Sequence, residues 1–303
     1  MVTTVTLILA AVILALLAVG MGWVLGWANR VFHVEVDPKV EAIQAALPGA
    51  NCGGCGYVGC GAYAEAVASG EEPEVDLCGP GGTACAQKIA EIIGVQITET
   101  WPYKAVVHCA AHWDDRLEKM DYTGEMTCAA ANLVAGYQGC TYGCLGLGDC
   151  ERACDYDAIH VVDGLSTVDY EACVGCKACS LACPRNIITM VPFKRSEMLV
   201  VACSNHDMGK DVSKVCTVGC LGCMACTRES DLMQMDNNLS SICYDDYETC
   251  EDFDAITSKC RRASLVWVGV PSEEDIEATA DEEVPERIEA DFETTVDDTE
   301  WRG

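Results

Sequence analysis

The sequence predicts an α+β chain in which one apolar N-terminal helix is followed by a string of small, cysteine-bearing domains. Three observations predict it. Cysteines recur in short runs of fixed spacing, a brief β-branched run follows each of the two central cysteine groups, and the chain is apolar at one end and acidic at the other. At 303 residues there is room for two or three domains. The 23 cysteines, an odd number beside five histidines, fit soft-metal ligation by thiolates better than complete disulfide pairing. A formal charge of -29 argues against a nucleic-acid partner, because phosphate backbones call for a basic footprint. With only four Phe, the cores must be small and aliphatic, with metal groups substituting for hydrophobic bulk.

The first element is the apolar helix. No charged side chain occurs from Met1 to Asn29, and Val5 to Ala28 is almost wholly apolar. About 20 such residues cross a hydrocarbon core. Trp23 and Trp27 stand near one end, as interfacial anchors do, and Arg30 follows. A cleaved signal peptide would want a basic n-region, a shorter apolar core and a small-residue cleavage site. The expectation is therefore a retained anchor over 1–29. Arg30 and Lys39 flank only its C-terminal side, which by the positive-inside rule puts the rest of the chain on the cytoplasmic side of the cell membrane. Reduced thiolates also want that compartment.

A glycine-rich domain is expected over 30–86. Asp37-Pro38 reads as an N-cap followed by proline at the first helical position, and Pro48-Gly49 stops that helix near Leu47. Next come Cys52, Cys55, Cys60 and Cys78, spaced C-x2-C-x4-C-x17-C among glycines that let backbone approach a bound group. Cys60 to Ser69 reads as a helix closed by Gly70. Four grouped thiolates suit zinc as well as a [4Fe-4S] cluster; the runs downstream favour the cluster. The span 87–136 reads as a connecting region, with a helix from Ile89 running toward a strand at Ile97 and another strand at Ala105–Val107. Cys85, Cys109 and Cys128 are scattered there. Each alone reads as a small buried hydrophobe, although together with later spare cysteines they could hold a further cluster.

A ferredoxin-like unit is expected over 137–192. Cys173 to Pro184 reads C-x2-C-x2-C-x3-C-P, the [4Fe-4S] pattern whose fourth cysteine serves a neighbouring cluster. Cys140, Cys144, Cys150 and Cys154 lie just upstream. The crossed rule assigns Cys140, Cys144, Cys150 and Cys183 to one cluster, and Cys154, Cys173, Cys176 and Cys179 to the other. A disulfide framework would not demand this spacing.

A degenerate second ferredoxin-like unit is expected over 193–270. CTYGCLG at 140–146 returns as CTVGCLG at 216–222, and DYEAC at 169–173 returns as DYETC at 246–250. Ser230, Phe253 and Ile256 then stand where Cys154, Cys176 and Cys179 stand in the first copy. These losses all strike one cluster and leave Cys250 orphaned, with apolar side chains to fill the vacated site. The remaining cluster falls to Cys220, Cys223, Cys226 and Cys260, with Cys216 a rival for one place; Cys203 and Cys243 are spare. The expected total is about four [4Fe-4S] clusters. From 271 to 303 the composition is acidic and reads as a disordered tail.

With these residues in view, the chain resembles the B-subunit family of Rnf complexes, the ion-translocating ferredoxin:NAD oxidoreductases. NCGGCGYVGC directly after the anchor, then YGCLGLGDC and CKACSLACPRNII, carry the resemblance, which runs from the anchor to about Val270. It implies an oxidoreductase subunit that takes electrons from soluble ferredoxin and hands them to other membrane subunits, their flow to NAD driving sodium or proton export. No G-x-G-x-x-G follows a strand, so no nucleotide site of its own is expected. Asp155 stands where the family usually has proline. An acidic ferredoxin would need a local basic patch on so negative a chain; Lys194-Arg195, or Lys210 with Lys214, are the candidates. Two other readings stay open: an electron-transfer subunit of a different membrane oxidoreductase, and a cluster-bearing redox sensor acting alone.

Overall fold

The structure, a computed structural model, describes residues 2–32, 37–97, 101–117, 119–134, 136–249, 253–270 and 294–296. Helix α1 (Val2–Val31) leads the chain, and its Ile8–Val31 portion is long and apolar enough to cross a membrane. None of that portion is buried against the rest of the protein.

Three short helices make the glycine-rich domain: α2 (Pro38–Ala46), α3 (Cys60–Ser69) and α4 (Gly82–Ile93). Asp37 caps α2 as its sequence indicates, accepting from the Lys39 N–H at 2.8 Å. Gly70 (φ 77) and Gly94 (φ 83) close α3 and α4 in the left-handed conformation that suits glycine. Gly94 closes the helix, and among the described residues Val95–Ile97 form no strand; residues 98–100 lie outside the described residues. Ile43, Tyr63 and Ile89 are fully buried between the three helices. Since so small a core contributes little alone, the loop 47–59 must be fixed locally. Asn51 does this by accepting from the Cys60 N–H at 2.9 Å.

The first ferredoxin unit comprises β1 (Tyr103–Val107), α5 (Cys128–Leu133), α6 (Asp149–Arg152), β2 (Ile159–Val162), β3 (Leu165–Val168), α7 (Ala178–Ala182) and β4 (Ile188–Pro192). β1 pairs antiparallel with β4, from Tyr103↔Pro192 to Val107↔Ile188, and β2 forms a hairpin with β3. The unit thus starts upstream of the expected boundary at 137. The physical reason is that β4 needs a partner for its backbone N–H and C=O groups, and the strand that supplies one lies in the span read as a connection.

The second unit repeats the plan with β5 (Glu197–Val201), α8 (Gly209–Val215), β6 (Met233–Asp236), β7 (Leu239–Ile242), α9 (Phe253–Ser258) and β8 (Leu265–Gly269). β5 pairs with β8 and β6 with β7, all antiparallel. Gly146 and Gly222 mark the same corner of each copy: both have positive φ, and a Cβ there would lie 2.4 Å from the Gly164 carbonyl or 2.5 Å from the Asn238 carbonyl. A short bridge joins the units, with the Leu117 N–H donating to the Val215 carbonyl and the Thr217 N–H to the Asp115 carbonyl, each at 3.0 Å. Of the expected acidic tail, Thr294–Val296 lie along the β2–β3 hairpin, where the Thr295 N–H donates to the Val161 carbonyl. The rest of the tail, and Cys250, lie outside the described residues.

Candidate metal centres

Three cavities of about 320–330 Å³ are each lined by four cysteines. Cys52, Cys55, Cys60 and Cys78 line the one in the glycine-rich domain. The first two sit on the loop that Asn51 holds against Cys60 at the start of α3, and Cys78 comes from the turn before α4. Cys154, Cys173, Cys176 and Cys179 line the second. The C-x2-C loop leads into α7, Cys179 lies within that helix, and Cys154 follows α6. Burial and then the neighbouring Cys173, Cys176 and Cys154 push the Cys179 thiol up to about 12. A buried thiol raised in this way ionises readily only where a cationic metal compensates it.

The third cavity differs from the crossed assignment. Cys144, Cys150 and Cys183 line it as expected, but the fourth cysteine is Cys128 at the start of α5, not Cys140. Thr127 caps α5 by accepting from the Ala130 N–H, which fixes the turn that presents Cys128. Cys140 turns instead into a separate cavity with Cys109, Cys203 and Cys216. Sequence reasoning missed this exchange because Cys128 belongs to no cysteine run.

In the second unit the equivalent surroundings persist. Cys150 Sγ lies 3.2 Å from Ser166 Oγ, and Cys226 Sγ lies 3.2 Å from Ser240 Oγ at the matching place. Cys220 is buried, Cys226 and Cys260 are half-buried and Cys223 is exposed. Burial alone would raise the Cys260 thiol, but the Ser264 hydroxyl and the N–H groups of Arg262, Ser264 and Leu265 outweigh it and bring the thiol below its ordinary value. The vacated site is filled: Phe253 and Ile256 are buried in one core with Tyr247, Met198 and Leu199. Cys85 lies in the glycine-rich core, its Sγ 3.4 Å from the Ala46 carbonyl oxygen, and Cys243 lies against Asp246.

Among the described residues, no three His, Cys, Asp or Glu side chains are arranged to hold a single metal ion. A zinc site needs its thiolates about 2.3 Å from one centre, whereas a cubane spreads them over separate iron corners. Cysteine sets spread around cavities therefore suit clusters better than zinc. Of the docking candidates, the Arg195 guanidinium lies 5.1 Å from the Phe253 ring centre, and Lys214 pairs with Asp211 at 2.7 Å. Arg262 donates to the Cys216 carbonyl at 2.8 Å.

The glycine-rich domain abuts the C-x2-C loop of the first unit. A Cβ on Gly54 would lie 2.2 Å from the Cys176 carbonyl oxygen, and one on Gly79 would lie 2.4 Å from that of Gly175. Only glycine permits that approach. It brings Cys52 near enough to raise the Cys176 thiol, behind burial and Cys154.

Neighbouring cysteine cavities behind an apolar helix define a class: an iron–sulfur electron-transfer protein anchored at a membrane. The family described as "Putative Fe-S cluster" matches residues 47–80, and the one described as "4Fe-4S binding domain" matches residues 166–189. The chain is 38% identical over 237 residues to the B subunit of the Na(+)-translocating ferredoxin:NAD(+) oxidoreductase complex of Acetobacterium woodii, covering 77% of this chain and 69% of the relative. It is 36% identical to the B subunit of the ion-translocating oxidoreductase complex of Methanosarcina acetivorans, covering 86% and 97%. To the B subunit of the proton-translocating ferredoxin:NAD(+) oxidoreductase complex of Clostridium ljungdahlii it is 34% identical, covering 86% and 92%. The chain belongs to the B-subunit family of ion-translocating, Rnf-type oxidoreductase complexes.

Proposed function

We propose that this chain is the membrane-anchored electron-transfer subunit of an ion-translocating ferredoxin:NAD oxidoreductase, receiving electrons from soluble ferredoxin and relaying them to the other membrane subunits. The observation that carries the reading is the contact between two cysteine cavities. Gly54 and Gly79 bring the loops bearing the Cys52–Cys78 set and the Cys154–Cys179 set into close backbone contact. A bound [4Fe-4S] cluster supplies one-electron chemistry at a potential set by hydrogen bonds, charge and solvent. The protein's own residues hold the sulfurs, keep their surroundings dry and tie the two domains at a fixed separation.

Four ligand sets follow: Cys52, Cys55, Cys60 and Cys78; Cys154, Cys173, Cys176 and Cys179; Cys128, Cys144, Cys150 and Cys183; and Cys220, Cys223, Cys226 and Cys260. Replacement of Cys140 by Cys128 in the third set follows the lining of its cavity. The cluster domains face the cytoplasm, where ferredoxin is reduced, as the basic residues Arg30 and Lys39 after α1 favour. Both docking candidates stay open, since Arg195 is engaged with aromatic rings and Lys214 with Asp211.

The test is anaerobic mixing of the purified full chain with chemically reduced ferredoxin, followed by electron paramagnetic resonance. Reduction of the chain's clusters at the expense of ferredoxin is expected. Iron and sulfide absent from the chain, or clusters that ferredoxin fails to reduce, would overturn the reading. Lys210→Glu with Lys214→Glu should slow that reduction several-fold at low salt and little at high salt.

A further inference from the structure

The two ferredoxin units meet at a cavity of about 430 Å³, lined by Cys109 and Cys140 from the first and Cys203 and Cys216 from the second. We propose that this interface holds a further [4Fe-4S] cluster, ligated by these four thiolates and shared by both units. The inference rests on the cluster-bearing reading above and adds a site whose ligands come from two domains.

Internal symmetry is the first argument. VVHC at 106–109 returns as VVAC at 200–203, in step with CTYGC at 140–144 and CTVGC at 216–220. Strands β1 and β5 end at Val107 and Val201, so each places its cysteine at the same distance beyond the strand. Each unit therefore offers an equivalent pair, and a cubane has four iron corners to accept two pairs.

The sulfurs are also already dressed for the charge they would carry. Cys144 N–H donates to Cys109 Sγ at 3.4 Å, and Cys220 N–H makes the matching bond to Cys203 Sγ at 3.3 Å. Cys140 Sγ accepts from the Gly143 N–H at 3.3 Å and from Asn205 Nδ2 at 3.4 Å. Hydrogen-bond donors to a cluster's sulfurs tune its potential. Gly143 and Gly219, equivalent in the repeat, pass beside these sulfurs: a Cβ on Gly143 would lie 3.5 Å from both Cys109 and Cys140 Sγ, and one on Gly219 3.4 Å from Cys216 Sγ.

The third argument is a buried charge with no anionic partner, met on one face by the Trp113 ring at 4.8 Å. Arg116 lines the same cavity and is only 6% exposed. Its Nε and Nη2 donate to the carbonyls of Ala111 and Gly164, which are neutral acceptors. Its Nη1 has no hydrogen-bond partner, and no carboxylate forms an ion pair with it among the described residues. A buried guanidinium without an anion is strongly disfavoured. A cluster carrying four thiolates is net negative and would answer it. Four neutral thiols filling a core would leave both the space and the charge unexplained.

The placement gives the second unit a connection. Cys144 touches the interface site through its N–H while its side chain lines the neighbouring cavity with Cys128, Cys150 and Cys183. Cys220 stands in the same relation to Cys203 on the other side. The interface site would join the cysteine sets of the two units, which otherwise lie in separate cores.

Iron and acid-labile sulfide per chain, with native mass spectrometry of the intact full chain, test this. About 20 of each are expected in the wild type, and about four fewer in Cys109→Ala or Cys203→Ala. The double variant should lose no more than either single one, because both cysteines serve one cluster. Unchanged iron in both single variants, or a doubled loss in the double variant, would overturn the proposal. Should these variants fail to fold, Asn205→Ala supplies a second readout. Losing its donor to Cys140 should move one midpoint potential downward and leave the others in place, and a redox titration with no midpoint moved would count against the site. Wild-type protein without iron and sulfide would overturn the electron-transfer reading as well, whereas iron indifferent to Cys109, Cys203 and Asn205 overturns the interface site alone.

Discussion

The two ferredoxin units share strand order, hairpins and corner glycines, yet they are held together differently at one matching site. In the first, Cys154, Cys173, Cys176 and Cys179 surround a cavity. In the second, Phe253 and Ile256 occupy the counterpart positions, and Tyr247, fully buried, has its ring centre 4.9 Å from that of Phe253. Trp267 meets Phe253 edge-on at 5.5 Å, and Arg195 covers the ring face. One backbone plan thus tolerates either a metal-binding set or an aromatic plug. What it does not tolerate is a void, because the surrounding strands are too short to collapse into one.

This contrast predicts that metal removal divides the molecule. Anaerobic chelation should loosen the first unit and the glycine-rich domain, while the apolar core of the second keeps β5 and β8 paired. Hydrogen exchange should show the β1–β4 amides losing protection many-fold more than those of β5–β8. Equal loss in both pairs would mean that the plug is not a substitute for metal.

A smaller effect comes from single ligands. Cys176→Ala should remove about four irons, whereas Phe253→Ala at the matching position should remove none. Phe253→Ala should instead lower unfolding stability by about 3–5 kcal/mol, the usual result of truncating a buried Phe. Denaturant titration of the holoprotein, followed by near-ultraviolet circular dichroism, would read the second figure. Iron analysis of both variants would read the first.

How much of this was legible in the sequence depends on where each cysteine comes from. Within Cys52–Cys60 and Cys173–Cys179 the spacing itself implies proximity; Cys78 lies beyond α3 and Cys154 before the β2–β3 hairpin, and the motif pattern pointed to both; each set lines its own cavity. The plug was legible too, since Phe253 and Ile256 replace cysteines in register. Of Cys128, Cys109 and Cys203 the sequence said only that spare cysteines together could hold a further cluster, not which ones meet. Each stands apart from any run. The surroundings of Cys109 and Cys203 are fixed by β1 pairing with β4 and β5 with β8, strands that begin and end their units and so meet only when the whole unit has folded. A signal did exist in the return of VVHC as VVAC, which places a cysteine just beyond the first strand of each copy. Reading it required knowing that the unit begins at β1.

The finest test concerns one hydroxyl. Tyr247 is the second-unit counterpart of Tyr170, whose ring stacks on Phe193 at 5.3 Å. Tyr247 instead accepts, through its hydroxyl oxygen, from the Leu199 N–H on β5. Among the described residues β5 has one strand partner, β8, so the N–H groups on its other edge depend on acceptors of this kind. Tyr247→Phe keeps the aromatic volume and removes only that acceptor, so the buried N–H is left unpaired at a cost of about 1–3 kcal/mol. Tyr170→Phe should cost less, since its ring contact survives. If the two variants prove equally stable in denaturant titrations, the plug acts through volume alone, and any large residue at 247 would serve. If Tyr247→Phe is the weaker by about 1 kcal/mol or more, the hydroxyl is part of what holds the second unit together at the one site where its twin has a cysteine set.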